Sequence, residues 1–224
     1  MSILKNRTLI NWLGLLGIAS FVSYLLAVLI APTAYPGYDW LSQAVSDLNA
    51  KDAPSRELWA QLSSIYTTGG IVCVTLACVY IQNRLNRTLR FGIYLFTLMN
   101  WISGIGYSLF PLSTSGYAGT FQDIMHVVVT AAVVGLSIVS LITIMVGGYR
   151  DKRYRPIAML ATISLSCMFI GAIGTGVIPK SYFGITERFS VFSATGFTAA
   201  LGFLIFAGFD FMERNAKPQK EPHA

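Results

Sequence analysis

Six stretches of this chain are each long and apolar enough to cross a lipid bilayer as an α-helix. A hydrocarbon core of about 30 Å needs roughly 20 consecutive apolar residues in a helix. Hydrophobic residues make up 54% of the 224 positions and charged residues only 12%, with a mean hydropathy of +0.60. The sequence therefore predicts an all-α polytopic membrane protein, a single six-helix bundle domain over 1–224. Its transmembrane helices are expected near 9–31, 60–82, 91–110, 121–147, 157–178 and 188–209.

The basic residues fall mostly on one side of this predicted bundle, in alternate loops and in a flexible C-terminal tail at 213–224. Short loops rich in lysine and arginine stay on the cytoplasmic side of a membrane. We therefore expect a multi-pass protein of the cell membrane with both termini cytoplasmic. Anionic membrane lipid is a sufficient partner for the net charge of +6, and no nucleic acid is needed. Twelve of the sixteen basic residues lie on this side, namely Lys5, Arg7, Arg84, Arg87, Arg90, Arg150, Lys152, Arg153, Arg155, Arg214, Lys217 and Lys220.

The long outer segment between the first two predicted helices carries a polar pattern of its own. Apolar residues recur at helical spacing after Asp39, which is placed as an N-cap, so a short interfacial helix is predicted near 39–49. Ser42 and Ser46 lie on its polar face, and Asp47 flanks that face. The hydroxyl groups either face a pocket between helix ends or are simply solvated at the membrane surface.

An ionisable pair, Asp123 and His126, lies near the start of the fourth predicted helix. Titratable groups inside a membrane are expensive to keep and mark candidate functional sites. A spacing of three residues puts both side chains on one helical face, where the carboxylate could orient the imidazole as a general base or metal ligand. The structural alternative is a hydrogen bond between helices that stiffens the bundle.

Further polar groups lie in the third helix and at the start of the sixth. Asn100 and Tyr107 are candidates for the inner part of a binding site, although a buried amide more often bonds a neighbouring helix. Glu187 and Arg188 lie at the outer boundary, where the arginine could bind an anionic headgroup or snorkel without any function. The predicted topology brings Glu187 and Arg188 to the same outer face as Ser46 and His126, and Asn100 and Tyr107 would extend this site inward.

The combination of motifs resembles the membrane family called domain of unknown function 998. The resemblance covers nearly the whole chain and implies the six-helix architecture, but no activity comes with it. It is carried by Leu41-Ser42-Gln43-Ala44-Val45-Ser46-Asp47-Leu48 after the first helix, Leu109-Phe110-Pro111 after the third, His126 in the fourth, and Gly184-Ile185-Thr186-Glu187-Arg188 opening the sixth.

A looser similarity extends to the alkaline ceramidases and adiponectin-receptor-like membrane hydrolases, and it implies zinc held by several histidines. This chain departs from that pattern because its second histidine, His223, falls in the charged tail. One copy of the chain therefore cannot assemble a three-histidine site. A mixed site for zinc or another divalent ion stays open, with Asp123, His126 and Glu187 as ligands.

Two functions from different classes follow from these residues. The first is an intramembrane hydrolase of a lipid or lipid-like ester or amide, with Ser46 or Ser42 as nucleophile, His126 as base and Asp123 as its orienter. The second is a non-catalytic binder or transporter of a lipid or small molecule. The substrate-binding residues are expected to be Arg188, Glu187, Asp47, Tyr107 and Asn100.

Overall fold

The structure, a computed structural model, describes residues 7–208, and every regular element in that range is helical. The predicted tail 213–224, with Arg214, Lys217, Lys220 and His223, and also Lys5, lie outside the described residues. The α-helices are α1 (Leu9–Leu13), α2 (Leu15–Ile30), α3 (Arg56–Leu62), α4 (Tyr66–Tyr80), α5 (Arg87–Leu109), α6 (Phe121–Tyr149), α7 (Arg155–Val177) and α8 (Phe183–Ala207). Short 3-10 helices lie at Ala31–Ala34, Ser46–Asn49, Lys152–Tyr154 and Lys180–Tyr182.

Five helical runs within residues 7–208 are long and apolar enough to cross a membrane, which confirms the prediction of an all-α chain with several membrane-spanning helices. The predicted third span near 91–110 forms α5, but α5 is not among these five runs, so the count of six is not confirmed. Its sequence explains the difference, because the uncharged part of α5 after Arg90 still holds Asn100 at its middle and several glycines, serines and tyrosines. The five runs are Leu9–Ala34, Arg56–Tyr80, Phe121–Tyr149, Lys152–Val177 and Lys180–Ala207.

Successive long helices alternate in direction, which gives the bundle two chemically different ends. We call one the basic end; it carries Arg7 and the loops at 81–86 and 150–154. The other is the polar end, formed by the segments 35–55, 110–120 and 178–182. Long-range hydrogen bonds link the elements at the basic end, where Asn11 donates to the carbonyl of Ile205 at 2.6 Å and Asn86 to that of Gly147 at 2.9 Å.

The core lies along α8, which packs against α2, α4 and α7. Phe197 of α8 meets Phe96 of α5 edge to face, with ring centroids 5.0 Å apart. Both side chains are almost fully buried. This contact joins α5 to the centre of the bundle.

The second membrane-spanning run is broken between α3 and α4, and α2 donates hydrogen bonds to a carbonyl on each side of the break. A helix break leaves backbone carbonyls without partners, which is expensive in an apolar setting. The hydroxyl of Ser23 donates to the carbonyl of Leu62 at 2.5 Å, and that of Ser20 donates to the carbonyl of Tyr66 at 2.6 Å. Tyr66 is the first residue of α4 after this break.

The predicted interfacial helix near 39–49 is not confirmed, since turns and the 3-10 helix Ser46–Asn49 occupy this segment. Side chains compete with the backbone here. Asp39 accepts from the backbone N–H of Leu41 at 3.1 Å, while the hydroxyl of Tyr38 donates to the carbonyl of Ala44 at 2.8 Å. Such bonds between side chains and the backbone replace the regular hydrogen bonds of an α-helix.

Candidate functional site

The first turns of α8 hold the segment 38–46 through backbone contacts. Oε2 of Glu187 accepts a hydrogen bond from the N–H of Val45 at 2.7 Å. The N–H of Ser46 also lies close enough to stabilise this carboxylate. The Glu187 carboxylate thus sits at the start of the 3-10 helix Ser46–Asn49, where backbone N–H groups favour an anion.

Arg188 also forms hydrogen bonds with this segment and forms none with Glu187. Its Nη1 donates to the carbonyls of Trp40 at 2.9 Å, Gln43 at 3.2 Å and Gly184 at 2.7 Å. Its Nη2 donates to the hydroxyl oxygen of Tyr38 at 2.8 Å. A guanidinium group with these four acceptors acts as a brace for the segment, which differs from the expected headgroup-binding role.

Tyr38 links Arg188 to the folded loop because it accepts from the guanidinium and donates to a carbonyl. Burial raises the pKa of Tyr38 to about 12, although the Arg188 charge acts in the opposite direction. The phenol therefore stays neutral and keeps its donor proton over the physiological pH range.

Gly184 allows the closest approach of α8 to this segment. Its N–H donates to the carbonyl of Leu41 at 2.8 Å. A Cβ atom at this position would fall on the carbonyl oxygens of Gln43 and Trp40. Because three residues of the Gly184-Ile185-Thr186-Glu187-Arg188 motif contact the segment 38–46, that motif forms a docking surface for it.

The two candidate serines have different surroundings. The Ser42 hydroxyl donates to Oδ2 of Asp39 at 2.6 Å, and this bond is the first cause of a lowered pKa for Asp39. The Ser46 side chain is half-buried and makes no hydrogen bond to another described residue. The structure thus gives Ser42 a local partner and leaves the Ser46 hydroxyl available.

Asp47 joins the outer segment to the loop that connects α5 and α6. It is buried, at 5% exposure. Its Oδ2 accepts from the N–H of Ala44 at 3.1 Å, and its Oδ1 accepts from the N–H of Gly116 at 3.0 Å. Both carboxylate oxygens therefore bond backbone groups, and the contacts of Asp47 are structural.

Asp123 is the N3 residue of the capping box at the start of α6, where Thr120 is the N-cap. Contrary to expectation, it makes no hydrogen bond to His126. Its carboxylate accepts from the hydroxyl and N–H of Ser113 and from the hydroxyl and N–H of Thr120, at 2.7 to 3.1 Å. Thr120 in turn accepts from the N–H of Asp123, which completes a capping box. The Asp123 carboxylate is therefore used by the capping box and not by the imidazole.

His126 finds its orienting group in the family motif after α5. Its Nδ1 lies 2.8 Å from the carbonyl oxygen of Phe110. Because a carbonyl can only accept, Nδ1 carries the proton and Nε2 of the neutral ring has the lone pair. Within residues 7–208 the Nε2 atom has no hydrogen-bond partner. The sequence predicted that Asp123 would fix the tautomer of His126. In the structure the backbone carbonyl of Phe110 fixes it instead.

A group of tyrosines, which sequence reasoning missed apart from Tyr107, lies between these residues. The rings of Tyr24 and Tyr66 have centroids 4.5 Å apart, and the ring of Tyr107 lies 4.9 Å from that of His126. Tyr24 interacts electrostatically with Tyr66, Tyr107 and Glu187. We call Tyr24, Tyr66, Tyr107, His126 and Glu187 the polar-end cluster; its members come from α2, α4, α5, α6 and α8.

Two hydroxyls of this cluster are unpaired within the described part of the chain. Tyr107 donates to Thr130 at 3.1 Å, but the hydroxyls of Tyr24 and Tyr66 make no hydrogen bond to residues 7–208. Neither hydroxyl is sealed off from water. Tyrosine hydroxyls in protein interiors normally find a partner, so these two are available to a bound molecule.

The remaining candidates are not brought into a metal site or an inward extension of the cluster. No group of three or more His, Cys, Asp and Glu side chains in residues 7–208 has the arrangement of metal ligands. The proposed set of Asp123, His126 and Glu187 is therefore not assembled there. Asn100 donates to the carbonyl of Phe96 in its own helix at 2.9 Å and lies 3.5 Å from the hydroxyl of Thr198.

Apolar helices long enough to cross a membrane, with a polar cluster gathered at one end, define a multi-pass helical membrane protein. A family model described as "Protein of unknown function (DUF998)" matches residues 18–204. The chain belongs to this family, and the match includes all the motifs that contact one another at the polar end. No match was found among curated proteins or among solved structures.

Proposed function

We propose that this membrane protein binds an amphiphile with a hydroxyl or amine headgroup at its polar-end cluster. The observation that carries the proposal is the set of unpaired polar atoms on Tyr24, Tyr66 and His126 beside the Glu187 carboxylate. Nε2 of His126 and the carboxylate accept hydrogen bonds, whereas the phenols both donate and accept. Alcohols and amines complement this set, whereas a fatty acid anion has no donor to offer to Nε2 of His126 or to the Glu187 side chain.

Phenylalanine variants of the two unpaired tyrosines test this proposal directly. Tyr24→Phe and Tyr66→Phe remove only a hydroxyl and keep the ring packing, so the unfolding temperature should hardly change. Binding of 1-monooleoylglycerol and oleylamine to the purified full chain should weaken about three- to tenfold, the range expected for one lost hydrogen bond. The matched control is Tyr94→Phe, because Tyr94 is 38% exposed on α5 and lies outside the cluster.

The measurement is microscale thermophoresis in detergent, with oleate as the acidic probe of equal chain length. We expect oleate to bind at least tenfold more weakly than the other two. Equal affinities of the wild type, Tyr24→Phe and Tyr66→Phe for all three probes would overturn the proposal.

A second candidate function, hydrolysis of a lipid ester or amide, is favoured by the contact between His126 and Phe110. That contact leaves Nε2 as a base, and the Ser46 hydroxyl is available as a nucleophile. The looser similarity to the alkaline ceramidases stays a prediction. Release of oleate from 1-monooleoylglycerol by the wild type, lost in both Ser46→Ala and His126→Gln, would support hydrolysis; intact substrate with all three proteins would reject it.

We also infer that α5 crosses the membrane as a sixth span, with both termini cytoplasmic. Several polar side chains of α5 are hydrogen-bonded within the bundle, which supports this proposal. The Trp101 indole donates to the Thr75 hydroxyl at 3.1 Å, and the Thr97 hydroxyl donates to the carbonyls of Val74 at 3.1 Å and Ile93 at 2.9 Å. The cell membrane and its lipid are the expected environment.

A further inference from the structure

The Glu187 carboxylate lies beside a group of aromatic side chains at the polar end. Val45, whose N–H donates to this carboxylate at 2.7 Å, packs in the same buried cluster as Tyr24 and Trp59. Tyr24 and Tyr107 also interact electrostatically with Glu187. The carboxylate therefore borders the tyrosines of the polar-end cluster.

No basic side chain in residues 7–208 forms an ion pair with this carboxylate. Arg188 is next in the sequence, but its guanidinium donates to three backbone carbonyls and to the Tyr38 hydroxyl, and it attracts Glu187 only from beyond ion-pair distance. Removing a carboxylate from water without a cation beside it costs free energy, and a bound cation recovers part of that cost. The site therefore favours a ligand that brings a positive charge.

The hydrogen-bonding groups around the carboxylate also suit an ammonium group. A carboxylate offers about four lone-pair sites, and the backbone N–H groups of Val45 and Ser46 occupy only part of them. The hydroxyl oxygens of Tyr24 and Tyr66, unpaired within the described part of the chain, can accept as well. A primary ammonium has three donors and no acceptor, so each of its N–H groups finds an acceptor of the right kind here.

Three further aromatic rings contact Tyr24 and add attraction for a cation. The ring centroids of Tyr66, Trp59 and Phe192 lie 4.5, 5.7 and 6.0 Å from that of Tyr24. The faces of such rings attract a cation within about 6 Å of the centroid. A neutral hydroxyl headgroup gains nothing comparable, so the rings favour an amine over an alcohol.

We propose that the polar-end cluster selects the cationic headgroup of a lipid-like primary amine, with Glu187 as its counter-ion. The ammonium donates to the Glu187 carboxylate and to the hydroxyl oxygens of Tyr24 and Tyr66, and the tyrosine rings stabilise its charge. An alkylamine has a pKa close to that of lysine, about 10.4, so it is a cation at pH 7. This inference rests on the proposed function, which admits alcohols and amines alike, and it narrows the ligand class.

The test compares oleylamine, oleyl alcohol and oleyltrimethylammonium, which share one chain and differ in the headgroup. Binding to the purified full chain is measured by microscale thermophoresis at pH 7 in one neutral detergent. Oleylamine should bind at least about tenfold more tightly than oleyl alcohol, as expected for hydrogen bonds to a charged group. Oleyltrimethylammonium keeps the charge but has no N–H donor, so it should bind about three- to tenfold more weakly than oleylamine.

Glu187→Gln removes the counter-ion but keeps an acceptor oxygen and the length of the side chain. It should lower the affinity for oleylamine at least about tenfold and change that for oleyl alcohol by less than about threefold. The matched control Glu57→Gln removes the same charge from an exposed position at the same end and should bind oleylamine like the wild type. Unfolding temperatures without ligand show that both variants are folded, and the comparison of probes on the wild type needs no variant.

Four outcomes would overturn the inference. Equal affinities of the wild type for oleylamine and oleyl alcohol would remove the role of the charge, and equal affinities for oleylamine and oleyltrimethylammonium would remove that of the N–H donors. Equal losses in Glu187→Gln and Glu57→Gln would mean general attraction of a cation to acidic side chains. Displacement of oleylamine by an equal concentration of n-butylamine would show a site for small free amines.

Failure of the proposed function gives a different result. In that case neither Tyr24→Phe nor Tyr66→Phe changes the binding of any probe. If oleylamine and oleyl alcohol bind equally well and both are weakened by Tyr24→Phe, the proposed function stands and only the selection of the cation by Glu187 is rejected.

Discussion

The Glu187 carboxylate accepts a 2.7 Å hydrogen bond from the backbone N–H of Val45, across 142 residues of sequence. The contact joins two of the stretches that carry the family resemblance, the serine-rich stretch 41–48 and the stretch 184–188 that opens α8. The two stretches are distant in the sequence, and in the folded chain each forms the binding surface of the other. The polar end is organised around this pairing, and the cluster of tyrosines lies beneath it.

Loss of the Glu187 carboxylate should undock the segment 38–46. Glu187→Ala leaves the Val45 N–H without its acceptor, and we expect the free energy of unfolding to fall by about 1–3 kcal/mol. Glu187→Gln keeps an acceptor oxygen and should cost less. Unfolding by SDS in mixed micelles, followed by tryptophan fluorescence, measures the difference. Exposed Glu57 at the same end provides the control Glu57→Gln, and an equal loss there would contradict the assignment.

Gly184→Ala should disturb the same docking by crowding instead of by loss of a bond. The added Cβ would clash with the carbonyl oxygens of Gln43 and Trp40, at a cost of about 1–3 kcal/mol typical of overpacking. Faster trypsin cleavage after Lys51, which lies exposed five residues beyond this segment, should report the release. Gly196→Ala on the same helix meets nothing within 4 Å and should resist trypsin like the wild type.

Hydropathy and charge alone predicted the helical class, and the topology built on them placed the segment 39–49 beside Glu187 and Arg188. The partners of individual side chains could not be predicted in the same way. Arg188 looked like a headgroup ligand because its charge was visible in the sequence, whereas the carbonyls that it binds exist only in the folded loop. The 39–49 pattern has helical spacing, but the bonds of Tyr38 and Asp39 to the backbone override it.

Two features of the site differ in how well the sequence predicts them. Thr120 and Asp123 stand three residues apart at the start of α6, which is the spacing of a capping box, so the structural role of Asp123 could have been predicted. Tyr24 and Tyr66 gave no such signal. A tyrosine in an apolar stretch is usually a packed core residue, and the 4.5 Å approach of the Tyr24 and Tyr66 rings exists only in the folded chain.

Asp123 should contribute to the stability of the fold and not to the orientation of the His126 imidazole. Asp123→Asn places amide protons where the Ser113 and Thr120 donors now point, so we expect a clearly lower unfolding temperature. Ser113→Ala removes only one donor side chain and should have a smaller effect. Amphiphile binding at the polar-end cluster should persist in both variants at temperatures where they are folded. Binding lost in folded Asp123→Asn would instead support the predicted role as orienter of His126.

The stabilising hydrogen bonds of Tyr38 should be lost at alkaline pH. A phenol with a pKa of about 12 in the folded chain and about 10 when unfolded stabilises the fold fully below pH 10. This contribution is lost as the pH rises from about 10 to 12, because the unfolded state ionises first. Tyr38→Phe lacks the contribution, so its deficit of about 1 kcal/mol should shrink over this range. A deficit that stays constant in SDS unfolding between pH 8 and 12 would contradict the assignment.

The loops that flank α5 should lie on opposite sides of the membrane if α5 is the sixth span. Ala118→Cys is exposed in the loop after α5, and Asn83→Cys is exposed in the loop before it. A membrane-impermeant maleimide should label Ala118→Cys in intact cells and Asn83→Cys only after permeabilisation, as cytoplasmic termini require. The native thiols Cys73, Cys78 and Cys167 lie inside helices, so the unlabelled wild type is the control. Labelling of both variants from the same side would show that α5 does not cross the membrane, whereas the reverse pattern would keep the six spans and invert the orientation.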